Sequence, residues 1–147
     1  MRQGDCEMSK ITTIPEIMEL SRETLVLLGY VEVYNCLDVR WAWAMPRETY
    51  ATARYNPIKD VGCMCFSRFW WGKVSDRLRR ENVIHELCHV VNHYLWHNVY
   101  LGRRPPRRQI PPLHELGYDP GHHGMAWGRL MMRAGVNPRV SYPPDYR

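Results

Sequence analysis

The sequence predicts an α+β domain: a leading helix, a small, mostly antiparallel sheet, a long central helix and a short closing helix, in one unit over 1–147. Three observations lead there. Apolar residues recur at helical spacing before residue 29 and again from 78 to 95. Between them lie short β-branched and aromatic runs separated by turn residues. The length, 147 residues, is one domain's worth and buries about two thirds of the unfolded surface around one core.

In order along the chain, Thr13-Ile-Pro-Glu16 combines a capping threonine, an early proline and a glutamate three residues on. Ile17, Leu20, Leu27 and Leu28 keep helical spacing up to Gly29, which predicts a first helix over 14–28. The runs 31–34, 41–44, 50–55 and 61–69 read as strands. Trp41, Trp43, Trp70 and Trp71 are expected to pack within that sheet. Ser75 or Asp76 can cap the next helix, whose Leu78, Ile84, Leu87, Cys88, Val91 and Leu95 form one apolar stripe. From Arg103 the chain reads Arg-Arg-Pro-Pro-Arg-Arg-Gln-Ile-Pro-Pro, so prolines exclude a long helix and 102–113 is an exposed basic loop. A last helix is predicted over 124–134, stopped by Gly135, before a proline-rich tail over 136–147. No repeat is present.

Composition narrows the function classes. A formal net charge of +5 and a pI near 9.1 favour a polyanionic partner. No apolar run approaches the 18 or so residues of a membrane span, and the first residues do not resemble a signal peptide. Five cysteines without a paired rhythm suit a reducing compartment. The expectation is a soluble cytoplasmic protein, in a bacterium or in the host of a virus, with no membrane partner. Met8 offers a second start, and 1–7 are expected to be a dispensable extension.

The chemistry concentrates in His85-Glu-Leu-Cys-His89-Val-Val-Asn-His93-Tyr-Leu-Trp-His97. On a helix, positions i and i+4 differ by about 40° in azimuth and about 6 Å in rise, so the His85 and His89 imidazoles can converge on one ion. Glu86 is turned by about 100° and suits a water on the ion's open side, the logic of His-Glu-x-x-His zinc sites in which the glutamate is the general base. His93 lies about 12 Å from His85 along the axis, and His97 farther. These two are assigned to the helix surface. A zinc site needs a third protein ligand, and His114, Glu115, Asp119, His122 and His123 are the downstream candidates.

The stretch Gly121-His-His-Gly-Met-Ala-Trp-Gly-Arg-Leu-Met131 narrows that choice. Together with His85-Glu-Leu-Cys-His89 it resembles the SprT-like zinc metallopeptidases, the family that includes Spartan, whose third ligand opens a His-Gly-x-x-(Trp or Phe)-x-x-x-Met helix. His123, Gly124, Trp127 and Met131 stand in that register. The resemblance implies a zincin-like fold, one Zn2+ per chain held by His85, His89 and His123, and Glu86 as the catalytic base. It also implies a protein or peptide substrate associated with DNA. Two departures stand out: the gap from His89 to His123 is lengthened by the basic loop, which keeps His122 and His114 in view, and no downstream Cys-x-x-Cys zinc ribbon follows. Cys63-Met-Cys65 does not replace it, and both thiols are expected to be buried and structural.

Arg103, Arg104, Arg107 and Arg108 are the candidate contacts to DNA, single-stranded or duplex, joined by Arg77, Arg79 and Arg80 at the start of the long helix. An extended substrate is expected to pair with an edge strand, for which 63–69 is the candidate. His122, Tyr142 and the arginines are candidates to stabilise an oxyanion. The alternative function is a zinc-stabilised, non-catalytic adaptor that binds DNA or protein. Least favoured is a helix bearing histidines and no metal.

Overall fold

The computed structural model describes residues 10–43, 45, 50–100 and 123–138. Helix α1, Ile14–Leu28, starts where the sequence places it. The Thr13 side chain accepts from the Glu16 N–H, while Glu16 Oε1 accepts from the backbone N–H of Thr12 and Thr13. Gly29 closes the helix at φ 89°, a conformation glycine adopts without strain. Ile17 and Leu25 on its inner face are fully buried.

The next segment departs from expectation. Residues Val31–Cys36 form a 3-10 helix, not a strand. Tyr30 and Val33 are buried there while Val31 is exposed, a spacing of three that suits a tight helical turn and not a two-residue alternation. Three strands follow, β1 Leu37–Ala42, β2 Ala51–Asn56 and β3 Val61–Ser67. Their order is β1-β3-β2, with β1 parallel and β2 antiparallel to β3. The sheet is therefore mixed, not mostly antiparallel. Only β2 and β3 are joined by a tight turn, in which Asn56 Oδ1 accepts from the N–H of Ile58 and Lys59. The longer link from β1 to β2 leaves β1 on the far side of β3, pointing the same way. As the central strand, β3 has both edges paired, so 63–69 does not supply a free edge.

One sheet face carries Met64 and Phe66, both fully buried, against the helices. The other carries Cys63 and Cys65, half-buried rather than buried as expected. Burial, together with the neighbouring Cys65 and Asp38, raises the Cys63 thiol above its ordinary value. The fully buried Cys88 is pushed up by burial alone.

After β3 come a four-residue helix, α2 Arg68–Trp71, and the long helix α3 Asp76–Leu95, capped by Ser75. The start of α3 is tied to the N-terminal segment: Asp76 Oδ1 accepts the Ile11 N–H at 2.7 Å and Trp71 Nε1 donates to the Ile11 carbonyl at 2.9 Å. Its middle is pressed onto the sheet at Gly62, where an added Cβ would stand 2.4 Å from Val90 Cγ1. Trp96–Tyr100 continue α3 as a π-helical turn, steadied where Asn98 donates to Tyr55 Oη and to the Tyr94 carbonyl. Helix α4, Met125–Arg133, lays Ala126, Trp127, Leu130 and Met131 against α3. No helix among the described residues is long and apolar enough to cross a membrane.

Candidate metal centre

Helix α3 buries residues all round its middle turns, so polar side chains there sit inside the protein. His85 is 6% exposed, Glu86 6% and His89 1%. Two of these three are four residues apart and face the same way, and His123, in the turn before Gly124 caps α4, comes to meet them. The three histidines each offer one ring nitrogen, all within 4.8 Å of one another. His85 Nε2 and His123 Nε2 are 3.2 Å apart. Two nitrogens that each bind zinc at about 2.1 Å in tetrahedral geometry are about 3.4 Å apart, so this separation fits a shared ion. The three histidines are close enough to bind a metal ion, and they are the residues expected from the sequence.

Glu86 Oε2 lies 3.9 Å from His85 Nε2, beside the ligand nitrogens and outside the group they form. Burial pushes its carboxyl up to about 8. A bound cation would oppose that shift by favouring the ionised form. The arrangement offers three ring-nitrogen donors and a buried carboxyl beside them, which can bind a divalent ion and move a proton next to it.

Trp127 organises the centre. Its ring stacks on His89 at 5.2 Å with planes 13° apart, and meets His85 and His123 edge-on at 4.9 and 4.6 Å. Its Nε1 donates to the His85 carbonyl at 3.2 Å. The indole, 2% exposed, touches all three imidazoles and fixes α4 to the helix that carries two of them. In the sequence Trp127 is a landmark four residues after His123; it stands in the first turn of the helix that His123 precedes.

Asn82 and Asn92, three residues to either side of His85 and His89, are 3% and 1% exposed. Neither side-chain amide nitrogen has a hydrogen-bond partner among the described residues. The three-residue offset of each from a histidine of the group is visible in the sequence. His93 and His97 are half-buried and lie outside the three-histidine group, as expected. The alternative ligands His114 and His122, the candidate Tyr142, and Arg103, Arg104, Arg107 and Arg108 all lie outside the described residues. Of the other arginines, Arg79 is turned inward, its Nη1 donating to the Trp71 and Val74 carbonyls at 2.9 and 2.7 Å. Arg80 pairs with Asp76 at 2.9 Å and Arg77 with Glu81 at 3.3 Å. Arg79 thus serves the fold, which removes it from the expected nucleic-acid contacts.

Comparison with protein-family models, with curated proteins and with solved structures found no match in any of the three.

Proposed function

We propose that this protein is a zinc-dependent endopeptidase, zincin-like in fold and similar to the SprT-like family, that acts on DNA-associated proteins. The observation that carries the reading is the convergence of His85, His89 and His123 with the Glu86 carboxylate beside them. A three-histidine set is the ligand number of catalytic zinc sites, in which the fourth position takes water or substrate. Zinc, when bound, polarises a substrate carbonyl and makes water acidic enough to ionise near neutral pH. Glu86 takes the proton from the attacking water and passes it to the leaving amine. Its buried setting suits both steps, since among the described residues no arginine locks the carboxyl as an anion and it is not freely solvated. Trp127 keeps the three imidazoles in place while this happens.

The test begins with zinc per chain, measured by elemental mass spectrometry on protein purified without chelators, for the parent and His123→Ala. About one zinc in the parent and much less in the variant is expected. Cleavage of an unfolded protein such as casein, and of a basic DNA-binding protein with and without DNA, is then compared between the parent and Glu86→Gln. Zinc bound at full occupancy with no cleavage by the parent would leave a zinc-stabilised adaptor instead. No zinc, even on titration, would remove the site.

A further inference from the structure

β1 and β3 run parallel with Ala42 beside Ser67, so Trp43 and Arg68 leave the sheet as neighbours. Trp43 is 78% exposed and Phe69 53%, and they are the exposed aromatic side chains among the described residues. Trp43, expected to pack within the sheet, lies beyond the last paired residue of β1. Both rings therefore stand at the same end of the sheet. Cations accompany them: Arg68 Cζ sits 4.8 Å over the Trp41 ring, and Lys73 Nζ 4.5 Å over Phe69. Beneath, Trp70 meets Phe69 edge-on at 5.2 Å and is itself braced by the buried Tyr50 at 5.9 Å. Neither 39–47 nor 61–75 contains an acidic residue.

Exposed aromatic faces cost free energy in water, and cations held over rings are kept at a fixed place instead of being spread through solvent. A partner that matches both must bring flat apolar groups and regularly spaced negative charge. Single-stranded nucleic acid does so, whereas in a duplex the base faces are already stacked. We propose that this end of the sheet is a docking platform for single-stranded nucleic acid. Trp43 and Phe69 stack on unpaired bases, and Arg68 and Lys73 neutralise phosphates. The platform leads through 72–75 into α3, whose first residue precedes His85 by about 13 Å of helix rise. It stands on its own surface and does not depend on the metal reading.

The test uses the full chain carrying Glu86→Gln, so that binding is measured apart from any cleavage. Fluorescence anisotropy would follow a labelled 15-nucleotide oligothymidine, the same strand annealed to its complement, and heparin as a polyanion without bases. Trp43→Ala with Phe69→Ala is expected to weaken oligothymidine binding roughly 10- to 100-fold, with duplex and heparin affinity little changed. Arg68→Ala with Lys73→Ala is expected to reduce the slope of log K against log salt by about 1.4. Thermal unfolding and zinc content confirm that each variant folds, and Trp43→Ala alone serves where the double variant does not. Unchanged oligothymidine affinity in the aromatic variant would overturn the proposal. So would an equal loss for all three ligands, or tight binding of an acidic peptide with none of oligothymidine.

Discussion

Two carboxylates on α3, ten residues apart, have opposite surroundings. Asp76 is opposed by partial burial, yet the Ile11 N–H, Arg80 and Arg79 outweigh it and hold the carboxyl below its ordinary value. Glu86 is deeper and has a histidine near it in place of an arginine, so burial pushes it up to about 8. The first charge belongs to the fold: it ties the N-terminal segment to the start of the helix. The second is buried beside three histidines that lie close enough to bind a metal ion. A single helix can thus anchor a domain at one end and bury a titratable group at its centre, and the difference lies in which partners the rest of the chain supplies.

The sharpest way to break this comparison is to neutralise Glu86. Glu86→Gln should lower peptide-bond cleavage by about 100-fold or more while zinc content stays near one per chain, and Asp76→Asn should leave turnover in the folded protein largely intact. A cleavage assay with both variants decides; comparable losses would erase the distinction. Next in size are opposite effects on metal-free stability. Because the folded Glu86 value is raised, its contribution is full below 4.5 and is lost as pH rises towards about 8. Metal-free Glu86→Gln should therefore be the more stable protein above neutral pH, by an amount on the order of a few kcal/mol.

For Asp76 the sign reverses. Its folded value is depressed, so its contribution is present above 3.8 and disappears as pH falls through the depressed value. Asp76→Asn should cost about 1–3 kcal/mol at pH 7, with a gap to the parent that narrows in acid. Urea unfolding across pH 3 to 9 checks both signs. The smallest effect concerns the surroundings of the metal: Trp127→Phe, which keeps a ring and loses the N–H, should weaken zinc about tenfold in chelator competition. Asp76→Asn should not.

Much of this was legible because local rules decide it. Thr13, Pro15, Glu16 and Gly29 mark both ends of α1 by caps and backbone preference, and the four-residue spacing of His85 and His89 fixes their common side once a helix is given. The gathering of His123 with them followed from the motif around Gly124 and Trp127. What was misread depends on distant contacts. Pairing direction in the sheet is set by which strand lies between the other two, and 61–67 carries apolar residues on alternate positions whether central or at an edge. Val31–Cys36 has strand-like residue types, but burial of Tyr30 and Val33 under a tight turn overrides that preference. Exposure of Trp43 depends on where β1 ends, two residues earlier than the aromatic run implied.

Gly62 and Val90 bear on any attempt to move this histidine-bearing helix to another scaffold. The missing Cβ lets the helix sit where a single methyl would not fit, so the spacing between layers is encoded by a pair of residues, one in each layer. A transplanted helix that keeps Val90 needs a hydrogen facing it, and a host strand with alanine there calls for a smaller residue at 90 instead. Lineages that drift at one of these positions are expected to drift at the other, which makes the pair a covariation signature.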